Sequence, residues 1–337
     1  MIVDASSSAI VTERALNAIA GRIVAGASAV TSLRQLSGGA SQELWRFEVV
    51  NNDRSIPAIL RRAPGGVRVS PVAVGPETEA RLMSAAGARG VPAPPVLYVL
   101  APEDGLGRGF VAGFVEGETL GGRIVKIEAL ASARAVLARQ CGQILARIHA
   151  LDANEFSDLR RFTPPELLDE WQAAYRATET PRPVFELAFR WLRANCPNPP
   201  ERPRLVHGDF RNGNLIVGPD GVRAVLDWEL AHVGDPMEDL GWLCVNSWRF
   251  GAMEKIVGGF GELVDLFAGY EAEGAAADFA SIGWWEIFGT LRWGVMCAGM
   301  PRAFGEFDRT VERAVIARRA SETEIDLMRL LTAHPAH

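Results

Sequence analysis

The chain has 337 residues, 48% hydrophobic and 23% charged, which excludes disordered and fibrous classes and leaves room for one large or two moderate globular domains. A formal net charge of −6 gives no reason to expect nucleic acid or an anionic membrane as a partner, and no apolar run approaches the roughly 18–20 residues a membrane span needs. The N-terminus lacks the basic start and apolar core of a signal peptide, and Cys141, Cys196, Cys244 and Cys297 lack metal-ligand spacing, the usage expected of reduced thiols in a cytoplasmic protein.

Residues 12–25 place Ala15, Leu16, Ile19, Ala20 and Ile23 at helical spacing behind a threonine cap. A short strand over 32–36 breaks at Ser37, Gly38, Gly39, Ala40 and Ser41, and residues 43–50 alternate with Trp45, Phe47 and Val49 on one face. A glycine pair flanked by serines between two strands lets backbone N–H groups approach phosphates closely; the same residues also suit a plain hairpin turn. The chain contains no G-x-x-x-x-G-K-[ST], which excludes the P-loop mode. Residues 56–62 form the next strand, 63–76 a loop rich in glycine and proline, and 77–88 a helix with Leu82, Met83 and Ala86 on its apolar face. Strands over 96–100 and 109–115 close a hairpin.

From there the pattern is mainly helical. Residues 128–150 carry Ala131, Ala138, Cys141, Leu145 and Ile148 on a buried stripe, ending in Arg147, Ile148 and His149. Thr163, Pro164, Pro165 and Glu166 spell a helix start. A helix over 184–195 gives way to a proline-rich connector, and a hairpin over 215–226 turns at Gly218, Pro219, Asp220 and Gly221. Beyond Asp239 the chain reads as helical to its end, with Trp242, Trp248, Trp284, Trp285 and Trp293 as a heavy aromatic load and a capping box over 321–324 opening the last helix. Strands first and helices after predict an α+β fold.

The chemistry concentrates in residues 205–239, LVHGDFRNGNLIVGPDGVRAVLDWELAHVGDPMED. An apolar strand end followed by H-x-D-x-x-x-x-N and a hairpin ending in aspartate presents a general base, Asp209, and two oxygen ligands for a hard cation, Asn214 and Asp227. That is the layout of a phosphoryl-transfer centre.

These residues resemble the protein-kinase-like superfamily, and more narrowly the aminoglycoside phosphotransferase and choline kinase family of small-molecule kinases. His207, Gly208 and Asp209 stand where protein kinases have H-R-D, and Leu226, Asp227, Trp228 and Glu229 where they have D-F-G. Gly234, Asp235 and Pro236 with Asp239 are a further family mark. The wording HGDFRNGN and LDWELAHVGDP is similar to that of the phosphotransferase-like domains found beside acyl-CoA dehydrogenases. The resemblance implies a two-lobed kinase-like fold, with a small antiparallel-sheet lobe over 1–115 that binds nucleotide and a large, mainly helical lobe over 116–337 that carries catalysis and the acceptor.

It further implies ATP and Mg²⁺ as cofactors and a small hydroxylated acceptor, an acyl or CoA-linked metabolite rather than an aminoglycoside. Asn214 and Asp227 would hold Mg²⁺. Ser37, Gly38, Gly39 and Ser41 would cover the phosphates, and Glu79 would pair with a strand cation. Kinases carry a lysine on that strand. Here Arg61 takes its position, keeping the charge but with a bulkier, forked donor set, while Arg62 on the opposite face reads as a solvated charge. Arg211, two residues after the base, is placed to stabilise charge on the transferred phosphoryl group. Asp235 and Asp239 read as acceptors of loop N–H groups, and His149 and His207 as packing residues. Two other readings stand beside this one: a nucleotide-binding module without turnover, prompted by the missing lysine, and a metal-dependent hydrolase using His207, Asp209, Asp227 and His232.

Overall fold

The computed structural model describes residues 5–36, 42–63, 73–276, 278, 280–306 and 311–334. The chain divides into two compact units, Met1–Gly117 with Arg223–Ala231, and Glu118–Val222 with His232–His337. The fold is α+β, a five-stranded antiparallel sheet in the first unit and a mainly helical second unit.

In the first unit, helices α1 (Ala5–Ala18) and α2 (Ala20–Ile23) precede strands β1 (Ala29–Leu36), β2 (Glu43–Asn51) and β3 (Arg54–Arg62), then helix α3 (Pro76–Ala88) and strands β4 (Val96–Val99) and β5 (Gly109–Gly113), with sheet order β1-β2-β3-β5-β4. The period-two pattern of β2 decides its facing, because Trp45, Phe47 and Val49 are all buried and join Leu60, Val111, Leu16 and Ile19 in one core. Asn52, at φ +53°, makes the left-handed turn between β2 and β3 that a short polar side chain tolerates. The single helix expected over 12–25 is two pieces, and Thr12 lies inside α1 with its side chain buried rather than capping it.

Arg62 also differs from expectation. Strand alternation puts it on the same face as Leu60, so it is not solvated: its Nε donates to Glu43 Oε2 at 2.9 Å, its Nη2 to Thr12 Oγ1 at 3.2 Å, and its guanidinium lies 5.9 Å from the Trp45 ring.

The second unit runs through α4 (Gly121–Ile124), α5 (Ala131–His149), α6 (Pro164–Arg176), α7 (Pro183–Ala194), strands β6 (Arg204–Val206), β7 (Leu215–Gly218), β8 (Gly221–Val225, in which the division between the units falls) and β9 (His232–Gly234), then α8 (Met237–Cys244), α9 (Leu263–Ala272), α10 (Ile282–Glu306), α11 (Val311–Arg318) and α12 (Ala320–Ala333). β6 pairs antiparallel with β9. The capping box at Thr163 is formed, Glu166 Oε2 accepting from Thr163 N at 2.8 Å and Oγ1 at 2.7 Å. The one expected at Ser321 is not. α12 begins at Ala320 behind Arg319, so Ser321 is already helical.

Helicity beyond Asp239 is interrupted between α8 and α9, where Gly251, Gly258 and Gly259 all take positive φ. Trp242, Trp248, Trp284, Trp285 and Trp293 are core residues, from 1% exposed for Trp285 to 9% for Trp293, while Trp171 and Trp191 are only half-buried. Among the described residues no helix is long and apolar enough to cross a membrane.

α5 and α9 pack through glycine. A Cβ on Gly142 would collide with the Leu266 carbonyl oxygen, and one on Gly269 with that of Arg139. Gly142→Ala should therefore destabilise the protein by about 1–3 kcal/mol, the cost of overpacking. Gly87→Ala in α3, where a Cβ meets nothing within 4 Å, should be neutral or gain about 0.5–1 kcal/mol. Denaturant midpoints of the two variants check both signs.

Candidate active site

In the second unit, β6 delivers the chain to a loop held from below by one carboxylate. Asp239 accepts from the His207 amide at 2.8 Å and the Gly208 amide at 2.9 Å. The same group meets His149 Nε2 at 3.0 Å, whose Nδ1 lies 2.8 Å from the Tyr270 hydroxyl. Asp239 is fully buried. Burial works against its charge, yet hydrogen bonding from His149, with the charges of His149 and His207, holds its pKa below the ordinary value. Gly208 takes φ +79°, the left-handed conformation that lets consecutive amides converge on one acceptor.

The loop then presents Asp209. Its Oδ1 accepts from Trp242 Nε1 at 2.8 Å and from Arg211 Nε at 3.1 Å, and its Oδ2 from Asn214 Nδ2 at 2.6 Å. Asn214 Nδ2 also reaches the Asp209 carbonyl at 3.0 Å. The Arg211 guanidinium lies on the face of Trp248, 4.4 Å from the ring centroid. Asn212, fully buried, ties the loop to the Gly258 carbonyl at 2.8 Å. From α10, Arg292 donates to the Gly208 carbonyl at 2.7 Å and to Glu238 Oε1 at 2.9 Å, and its guanidinium lies 4.5 Å from the Trp242 ring. Glu238 Oε2 meets His232 Nε2 at 3.0 Å.

In the first unit, Arg61 gathers the other candidates. Its Nε lies 3.1 Å from Glu79 Oε2 and its Nη2 3.1 Å from Glu79 Oε1, while Nη2 donates to Asp227 Oδ1 at 2.6 Å. Asp227 takes φ +67° and ψ +62°, an uncommon conformation for a residue with a side chain, anchored by the fully buried Trp228 that follows it.

Burial pushes the Glu79 carboxyl up to about 7 against the pull of Arg61. For Arg61, burial opposes its charge, but Glu79 and Asp227 outweigh that and raise it above its ordinary value. A carboxyl raised from an ordinary 4.5 to about 7 contributes stability below the lower value and loses it as pH rises through the higher. Relative to Glu79→Gln, the wild-type protein should lose stability across that interval. Thermal unfolding of both proteins over the same pH range checks this, and parallel curves would exclude it.

The sequence candidates thus fall into two groups, Asp209, Arg211 and Asn214 in the second unit and Arg61, Glu79 and Asp227 in the first. Ser37, Gly38, Gly39 and Ser41 lie outside the described residues. Asn214 makes both its bonds to Asp209 through Nδ2, which leaves Oδ1, the atom a hard cation takes, and Asp227 gives Arg61 only one of its two oxygens. Each of these oxygens, Asn214's in the second unit and Asp227's in the first, is of the kind Mg²⁺ takes. Among the described residues no group of three or more His, Cys, Asp and Glu could hold a metal ion, and His232 is engaged with Glu238.

Trp242, Arg292 and Glu238, with the roles of His149 and Tyr270, escaped sequence reasoning. Trp242 was legible only as aromatic mass, and its one local signal is its place three residues after Asp239.

Residues 32–275 match the model of the phosphotransferase enzyme family. The mouse acyl-CoA dehydrogenase family member 10 is 35% identical over 225 residues, 63% of this chain and 20% of that protein, and the rat family member 11 is 30% identical over 194 residues, 55% of this chain and 24% of that protein. The chain thus spans about a fifth to a quarter of the length of these relatives. Among solved structures, an aminoglycoside phosphotransferase-like protein of Ralstonia eutropha JMP134 matches at TM-score 0.73 and 23% identity, covering 95% of this chain and 98% of that one. A hygromycin B complex of the aminoglycoside phosphotransferase APH(4)-Ia with AMP-PNP matches at 0.63 and 18% (97% and 99%), and choline kinase of Cryptosporidium parvum Iowa II at 0.59 and 11% (94% and 96%). At these identities the solved structures speak to fold alone.

Proposed function

Because the chain belongs to the phosphotransferase enzyme family, we propose that it transfers the γ-phosphoryl group of ATP to a hydroxyl of a small molecule, with Asp209 as the base. The observation that carries this reading is the carboxylate of Asp209, oriented by Trp242, Arg211 and Asn214 at 2.6–3.1 Å while its side chain stays 14% exposed. A base so held positions the acceptor oxygen in line with phosphorus, and positioning supplies most of the rate in such reactions. The acceptor O–H gives its proton to Asp209 as the new O–P bond forms, and the bond from phosphorus to the β,γ-bridging oxygen breaks, releasing ADP. Arg211 supplies positive charge beside the base, and Arg61 supplies it in the first unit, where kinases use lysine. Asn214 Oδ1 and Asp227 would hold Mg²⁺, which neutralises phosphate charge when bound.

For the acceptor we propose an uncharged or acyl-type hydroxylated metabolite rather than a polycationic antibiotic. A cavity of about 670 Å³ in the second unit, with Ser247 and Phe250 in its lining, balances Arg319 and Arg329 against Glu322 and Asp326, and a polycation would favour an excess of acid. The test follows ³¹P transfer from ATP across a panel of hydroxyacyl metabolites, sugars, choline and aminoglycosides, with and without EDTA. A phosphate monoester formed only with Mg²⁺ present is the expected result. ATP bound with neither transfer nor hydrolysis would instead assign the chain to nucleotide binding without turnover.

A further inference from the structure

A carboxylate offers about four lone-pair directions, and three of those on Asp209 are used within the second unit. Oδ1 receives both the Trp242 indole N–H at 2.8 Å and the Arg211 Nε at 3.1 Å, and Oδ2 receives Asn214 at 2.6 Å. The donor on Oδ1 that is not part of the loop is Trp242, 2% exposed on α8 and faced by the Arg292 guanidinium at 4.5 Å. Arg292 also holds the Gly208 carbonyl at 2.7 Å, so one side chain fixes both the indole and the backbone before the base.

We propose that Trp242 is a positioning residue that, with Arg211, occupies Oδ1 of Asp209 and leaves Oδ2 as the single oxygen able to take the acceptor's proton. This rests on the phosphotransfer reading above. An indole N–H is neutral and rigid, so it selects the oxygen without competing for the phosphoryl group as a second cation would. The charged and titratable groups around Asp209 are Arg211 on its own loop, His207 and Asp239 beneath it, His149 behind Asp239, and Arg292 with Glu238 on the helices packed against Trp242.

Trp242→Phe keeps most of the ring and removes the N–H. kcat should fall by about 10–100-fold, as for a misplaced reacting group, while KM for ATP stays within about twofold. A purely packing role would leave kcat as little changed as KM, and a kcat within about twofold of wild type overturns the proposal. A second readout needs neither turnover nor a folded Trp242 variant. The Trp242 indole N–H proton resonance should move upfield in Asp209→Ala relative to the wild-type protein, because it loses its acceptor. A resonance at the same position in both overturns the assignment. Absence of turnover in the wild-type protein would count against the phosphotransfer reading alone, leaving the indole resonance to decide this one.

Discussion

Asp209→Ala is expected to lower kcat by about 10²–10⁴-fold, the range a positioned general base contributes, while ATP affinity stays within a few-fold. The reason is the separation of labour described above. On the proposed reading Asp209 takes the acceptor's proton, and the candidate groups for phosphates and metal, apart from Asn214, lie on Arg61, Glu79 and Asp227. Asp227→Ala is the matched control. It removes the proposed metal ligand and one carboxylate from Arg61, so the Mg²⁺-dependent part of ATP binding should disappear with turnover. Calorimetric titration of ATP with and without Mg²⁺, alongside steady-state rates, separates the two variants. If Asp209→Ala retained kcat/KM within about tenfold of wild type, the base would have to be sought elsewhere.

Asp239→Ala should produce the larger loss of stability, about 3–5 kcal/mol, because it takes the shared acceptor from two buried amides and a buried histidine. The carboxylate is fully buried and held below its ordinary pKa. Its stabilisation is thus present above the unfolded value and lost as pH falls through the folded one. Urea unfolding at neutral pH should show a much lower midpoint for Asp239→Ala than for Asp209→Ala, whose carboxylate is partly exposed. A midpoint for Asp239→Ala equal to wild type would show that other groups take over its three partners.

What the sequence made legible depended on whether chemistry or packing set the spacing. Asp209 and Asn214 are five residues apart because one loop must bring the asparagine amide to the aspartate carboxylate, and that constraint is local. Alternation likewise exposed the facing of β2, and the strand-then-helix order exposed the fold. Asp239 was legible as an acceptor of the loop's amides, but the groups behind it were not. His149 reaches Asp239 across 90 residues, Tyr270 reaches His149 across 121, and Arg292 reaches Gly208 across 84. No local period marks such partners. Arg62 departs from expectation for a related reason, since its strand parity and the helix were visible but the packing of that helix on its face was not.

α8, Met237–Cys244, is only eight residues long. Yet Glu238 takes Arg292 and His232, Asp239 takes the loop amides and His149, and Trp242 takes the base. Positions 238 and 242 are one helical repeat apart and 239 lies beside them, so all three ride on a single angular setting of the helix. Inserting or deleting one residue between them would rotate one part against the other by roughly 100°. Side-chain exchange at these positions is graded in effect, but a change of length is all-or-none. The helix acts as an indexing pin for the loop, which makes its length, more than the identity of any one of its side chains, the least negotiable feature of the second unit.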